Sequence, residues 1–153
     1  MFFSDNDGNQ FKIKGSINCK SVCVIYWIFC KKCSKNIHVG QTGDTFYQRM
    51  LLNFSKIRTR KITDPIAKHF CEKDHSVNNY RVIGIERVYG DTIYRETKEA
   101  FWIKKLKTYE PQGLNTKLLC RWPSLEQMNE RTSQYERLPI ITLIVYQDTV
   151  YLK

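Results

Sequence analysis

The chain predicts an α+β fold: a small, mostly antiparallel three-stranded sheet flanked by helices, with a C-terminal extension. Three observations lead there. Its 153 residues suit one domain with an ordinary apolar share, enough to bury a useful core. The stretch 24–43 (VIYWIFCKKCSKNIHVGQTG) reads as a β-hairpin, an apolar β-branched and aromatic run that returns through a polar tip to a glycine. Beyond it the pattern runs helix, helix, strand, helix, so helices pack on a short sheet.

Taken in order, residues 1–10 are polar and glycine-containing and are expected to be a flexible N-terminus. Residues 11–15 (FKIKG) alternate apolar and basic, the pattern of a short edge strand protected by lysines. Strands follow at 22–30 and 37–41. Asp44 or Thr45 caps a helix over 45–58, with Phe46, Met50, Asn53 and Ile57 along one stripe. Asp64-Pro65 starts a second, short helix, since proline suits the first helical position. A strand is expected over 80–89 and a long helix over 92–108, broken by Pro111-Gln112-Gly113. These elements make a domain over 11–116. In the extension, 117–153, Pro123 to Glu126 opens a polar, helical stretch, and 138–152 resembles a strand or a hairpin around Gln147-Asp148.

The net charge is +10 and is unevenly placed. From Thr116 onward five basic and four acidic residues nearly balance, leaving a net +9 in the first 115. Concentrated positive charge attracts phosphate backbones, so a nucleic acid is the expected partner rather than a membrane or a small-molecule cofactor. The longest apolar run, 139–146, is interrupted by Thr142 and far too short to span a bilayer. Met1-Phe2-Phe3 passes at once into polar residues, unlike a secretory signal. An intracellular, nuclear location is expected, and in such a compartment six cysteines read as metal ligands or buried thiols rather than a disulfide framework.

Several side chains can carry chemistry. Glu99 precedes Trp102, Ile103 and Leu106 by three, four and seven positions, which puts a carboxylate on an apolar helix face, costly unless it is paired or metal-bound. The alternative is a partly exposed Glu99 bridging to Arg95, four residues earlier, or to Lys98. Arg49, next to core-facing Met50, can hold a phosphate oxygen bidentately or snorkel to solvent. Tyr26 and His38 lie on the paired strands, where a core tyrosine and a surface histidine are equally consistent. Cys30 and Cys33, at C-x2-C spacing, with His69 and His75 make a four-ligand set for a structural Zn²⁺, with Cys71 in reserve.

In this order the residues resemble a GIY-YIG endonuclease domain. Val24-Ile25-Tyr26 stands where that family has Gly-Ile-Tyr, and His38-Val39-Gly40 where it has Tyr-Ile-Gly. Arg49, Glu99 and Asn115 of Gly113-Leu114-Asn115 fall where it has its arginine, glutamate and late asparagine. The similarity covers about 11–116 and is closest to the endonuclease domain of Penelope-like retroelements. There, too, cysteines lie between the tripeptides, and Lys68-His69-Phe70, His75, Phe101-Trp102-Ile103 with Leu106, and Pro111 to Asn115 have counterparts. The resemblance implies a retroelement-type DNA endonuclease that nicks one strand. Mg²⁺ would sit on Glu99, Tyr26 would help deprotonate a water, Arg49 would stabilise phosphate charge, and Asn115 would help fix Glu99. The chain departs from the pattern at His38, where a tyrosine is usual, and at Asn53, where retroelement relatives carry a histidine. Asn53 cannot act as a base, so the alternative is a catalytically inactive nucleic-acid-binding module that keeps the fold.

Overall fold

A computed structural model describes residues 1–116 apart from Asn6 and Lys73. The expectations for 117–153 lie outside the described residues. Among the described residues five strands and three α-helices run in the order β1 (Phe2–Ser4), β2 (Gln10–Lys12), β3 (Val24–Cys30), β4 (Lys35–Thr42), α1 (Phe46–Arg58), α2 (Pro65–Cys71), β5 (Tyr80–Arg87) and α3 (Thr92–Lys105). The main sheet is three-stranded and antiparallel in the order β4-β3-β5. The α+β expectation holds.

The central strand, β3, is buried almost throughout because both its faces are covered. Val24, Tyr26, Ile28 and Cys30 pack with Met50 and Ile57 of α1 and Ile66, Ala67 and Phe70 of α2. Ile25 and Trp27 face the other way, against Trp102 and Ile103 of α3. Alternation in a strand sends successive side chains to opposite faces, so one strand serves two cores.

Capping sets the helix starts. Thr45 and Gln48 form a capping box at α1. Asp64 accepts from the amides of Ile66 and Ala67 at 3.1 Å each, with proline at the first helical position of α2. Asp91 caps α3. The α1 stripe is as expected: Met50, Asn53 and Ile57 are buried and Phe46 half-buried.

Two expectations change. Residues 1–10 are not frayed: β1 and β2 pair as a small second sheet, closed by Asp5, whose carboxylate accepts the amides of Asp7 and Asn9. The strand near 11–15 is therefore β2, paired with the N-terminus, and just beyond it Lys14 bridges to Glu86 of the main sheet. The reason is aromatic. Phe3 lies 5.4 Å from the Trp27 ring and 6.1 Å from Trp102, and Phe11 lies 6.0 Å from Trp102, so the hairpin roofs the α3-side core. No helix among the described residues is long and apolar enough to cross a membrane.

Candidate functional site

One cluster of polar side chains forms where α1, the β3–β4 hairpin and α3 meet. Tyr26 is buried on β3, directly opposite Gly40. Its phenol lies so close over that strand that a Cβ at Gly40 would stand 2.5 Å from its oxygen. Any larger residue at 40 must push the ring away, which explains the glycine. His38 is the partner of Ile28 on β4 and faces the same side.

Arg49 ties the cluster together electrostatically. Its charge favours the ionised forms of Tyr26 and Glu99 and disfavours the protonated form of His38. Burial nevertheless dominates each group. It pushes the Tyr26 phenol up to about 12 and the His38 imidazole down to about 4. Glu99 is raised to about 7, first by burial and then by Glu96, against the opposing pull of Arg49 and a hydrogen bond from the Gln41 amide. Near neutral pH this leaves an intact phenol, an unprotonated imidazole and a half-protonated carboxyl group. Among the described residues, His38 Nδ1 and Arg49 Nε are sealed from solvent without a hydrogen-bond partner. Buried donors and acceptors in that state are rare and are open to a ligand.

Asn53 is buried and its amide is engaged: Nδ2 donates to Tyr80 Oη at 3.3 Å, and Tyr80 Oη donates to Met50 Sδ at 3.4 Å. The Asn53 amide also favours the ionised form of Tyr26, though less than burial opposes it. Asn115 stands apart from the charged groups. Its side chain accepts from Val39 N and donates to Val39 O, both at 2.9 Å. It thus continues the ladder along the open edge of β4, and Leu114 N donates to Ile37 O beside it.

A second cluster lies at the hairpin tip. Cys30, Cys33, His69 and His75 bring four ligand atoms within 4.8 Å of one another, an arrangement that can hold a metal ion. Cys33 Sγ and His69 Nε2 are 3.7 Å apart. The tip is clipped to the loop after α2, since Lys31 N donates to Asn79 O at 2.9 Å and Lys32 Nζ reaches Asp74 O. Burial and the neighbouring Cys30 push the Cys33 thiol up, while burial and His75 hold His69 below the usual imidazole range, so its lone pair is free to ligate. Cys71 is not in the set; its thiol donates to Ile57 O at 3.4 Å.

The roles of two polar residues escaped the sequence reading. Asp64, seen there only as part of a helix start, also bonds Lys56 at 2.7 Å, and its charge bears on both His38 and Tyr26. Glu86 is buried, accepting from Trp102 Nε1 at 2.6 Å with Lys14 and Lys98 each at 3.7 Å. Lys98 therefore pairs with Glu86, not Glu99. Arg95 donates to Gln41 Oε1 at 2.8 Å, and among the described residues Glu99 forms no salt bridge with it. Simple alternation hides Glu86, because a bulge opposite Ile25 and Tyr26 shifts the register there.

Comparisons with protein-family models, curated proteins and solved structures return no match to this chain.

Proposed function

We propose that the chain is a Mg²⁺-dependent DNA endonuclease of the GIY-YIG type, closest to those of Penelope-like retroelements, that nicks one strand. The observation that carries this reading is the convergence of Tyr26, His38 and Glu99 around the charge of Arg49, in the order the family resemblance requires. Glu99 offers one hard carboxylate, the donor Mg²⁺ takes when water and phosphate complete its shell. Bound there, the ion would supply Lewis-acid polarisation of the scissile phosphate.

The protein's own groups divide the remaining work. Arg49 faces the phosphate with an Nε that has no other described partner and stabilises the charge that builds on it. His38, neutral at pH 7, accepts the proton of the attacking water. Tyr26 keeps its own proton near neutral pH and so orients that water by hydrogen bonding. Asn115 holds the β4 edge that carries His38. The basic excess supports DNA as the partner, and an enzyme of this kind would act in the nucleus.

At the hairpin tip the ion would be Zn²⁺. Two sulfurs and two ring nitrogens suit its tetrahedral preference, and four protein ligands leave no open position, so the role is structural.

Asn53 favours a second reading, a catalytically inactive DNA-binding module, because its amide is already committed to Tyr80. One assay separates the two. Supercoiled plasmid is incubated with wild type, Glu99→Ala and Arg49→Ala in Mg²⁺. The nuclease reading expects open circles from wild type alone. The binding-module reading expects intact plasmid from all three, with salt-dependent binding that persists without Mg²⁺. About one equivalent of zinc in purified wild type, lost in Cys30→Ser with Cys33→Ser, supports the tip site; none in wild type refutes it.

A further inference from the structure

We propose that the exposed face of α1 and the turn after it form a second anchor for the DNA backbone, with Arg58 and Arg60 on phosphates away from the cut, an inference that rests on the reading of DNA as the partner. From Thr45 to Thr63 the chain carries five basic residues, Arg49, Lys56, Arg58, Arg60 and Lys61, and no acidic one. Lys56 pairs with Asp64, whereas Arg58, Arg60 and Lys61 are exposed and, among the described residues, enter no salt bridge. The exposed stripe of the helix runs Tyr47, Leu51, Ser55 and Arg58, spaced so that one face carries them all. A helix face turned to solvent is ordinarily charged and polar. This one is neutral and partly apolar, ends in arginine, and holds nothing that repels a polyanion. Arg58 and Arg60 also line a cleft, but Glu72 and Asp74 share it, so the outward face of the helix and not the cleft fits a phosphate backbone.

The backbone at Arg60 supports this independently. Arg60 N donates to Ile57 O at 3.1 Å and Lys61 N to Lys56 O at 2.9 Å, the paired bonds that close a helix through one left-handed residue. Arg60 is that residue, at φ 52°. Glycine is usual there, because in this conformation a Cβ crowds the chain's own carbonyl. A cation at a helix C-terminus is stabilising, but Lys56 and Arg58 already stand in the last turn. An arginine where glycine fits better, next to two cations that already serve the helix end, is explained by a ligand rather than by the fold. Arg49 and Arg58 lie nine residues apart, about 13–14 Å along the helix axis. A strand following α1 would thus be gripped about four phosphates from the one at Arg49, at about 3.4 Å of rise for each.

The test uses the full chain and a short DNA duplex, measured without Mg²⁺ so that binding is read apart from cutting. Arg60→Gly, Arg58→Gln, Leu51→Glu and the control Lys107→Met are compared with wild type for Kd against salt, urea midpoint and sedimentation. Arg60→Gly is expected to raise the urea midpoint while weakening DNA several-fold and lowering the salt slope by about one. Arg58→Gln should lower the slope by about as much. Leu51→Glu should weaken binding through like-charge repulsion, and Lys107→Met should leave affinity and slope near wild type. Replacing single phosphates by uncharged methylphosphonates should weaken wild type at one or two positions that no longer matter to Arg60→Gly. The proposal is overturned if Arg60→Gly and Arg58→Gln keep wild-type affinity and slope, if Lys107→Met loses as much as they do, or if Arg60→Gly is less stable than wild type. It is also overturned if the variants lose more on an RNA duplex than on DNA, or if the free chain is a dimer that Leu51→Glu dissolves, which would give the face to a second copy. Wild type that binds with the expected dependences yet leaves plasmid intact in Mg²⁺ refutes the nuclease reading alone.

Discussion

The two faces of the β4-β3-β5 sheet are built from different chemistry. On the α3 side Ile25, Trp27, Trp102, Ile103 and Leu106 are buried under the aromatic hairpin of Phe3 and Phe11, and one carboxylate, Glu86, accepts a hydrogen bond from an indole and is paired with two lysines. The α1–α2 side buries aliphatic residues as well, but around Tyr26, His38, Asn53, Tyr80 and the Cys/His cluster. Burying polar groups lowers stability unless each is satisfied; among the described residues His38 Nδ1 on this side has no partner, and on the α3 side the Trp27 indole N–H, a weaker and uncharged group, is in the same state. The difference teaches that the α3 face supplies the stability on which the α1–α2 face draws to hold strained protonation states.

The largest expected effect tests the stabilising face. Trp102→Ala should lower unfolding free energy by about 3–5 kcal/mol in urea, the usual result of deleting a buried aromatic. Trp102 is 1% exposed, and the substitution also strips Glu86 of its closest donor. Tyr26→Phe, on the other face, should cost less than about 1.5 kcal/mol, because the ring stays and only a buried hydroxyl leaves. Equal losses would break the contrast between the faces.

The same contrast explains which parts of the molecule were legible in the sequence. Local signals were strong for the helices: Thr45 with Gln48 and Asp64 with Pro65 announce α1 and α2 within a few residues. The hairpin was legible from its apolar run and C-x2-C tip, and so were the two cysteines and two histidines that the fold brings together. What escaped depends on contacts distant in sequence. Phe3 reads as part of a loose terminus until Trp27 and Trp102 stand beside it. Glu86 reads as an outward strand residue until a bulge turns it to α3. Arg95 looks like the helix partner of Glu99, and only the approach of β4 gives its guanidinium a better acceptor. Asn115 was singled out, yet the bond it makes goes to Val39, a backbone edge that no sequence pattern displays.

A smaller effect concerns pH. His38 falls from an ordinary 6.5 to about 4, so the unfolded chain binds its proton more readily than the folded one. Its contribution is fully present above 6.5 and is lost as pH drops through 4. Glu99 rises from 4.5 to about 7, so there the folded chain holds the proton more tightly. Its contribution is present below 4.5 and is lost as pH climbs through 7. Between pH 4.5 and 6.5 the two slopes oppose each other, each about 1.4 kcal/mol per pH unit. Relative to wild type, Glu99→Gln should therefore gain stability as pH rises across that window, and His38→Gln should lose it. Urea midpoints at four pH values check both signs. Parallel profiles for all three proteins would mean that neither group is held in its disfavoured state, and the idea of strained protonation on this face would fall.

The smallest effect asks whether the contrast extends to ion pairs. Lys56 and Asp64, on the α1–α2 side, are 2.7 Å apart with side chains 36% and 15% exposed. Lys107 and Asp7, at the end of α3, are 3.3 Å apart and 72% and 55% exposed. Solvent screens the second pair and leaves two long side chains to be ordered for little gain, so Lys107→Met should change stability by less than about 0.5 kcal/mol. Lys56→Met should cost about 1 kcal/mol at pH 7. Burial alone would raise Asp64, but Lys56 and the amides of Ala67 and Ile66 outweigh it and hold the carboxyl below its usual range. That stabilisation is present above the ordinary Asp value of 3.8 and is lost as pH falls through the lower folded value. The cost of Lys56→Met should therefore shrink in acid, while that of Lys107→Met stays near zero. Removing Lys56 also removes a positive charge that opposes protonation of His38, so the His38 imidazole should titrate higher in the variant, as NMR can read directly. A pair that affects both stability and the titration of a site histidine belongs to the functional face, and equal, pH-independent costs for the two lysines would show that it does not.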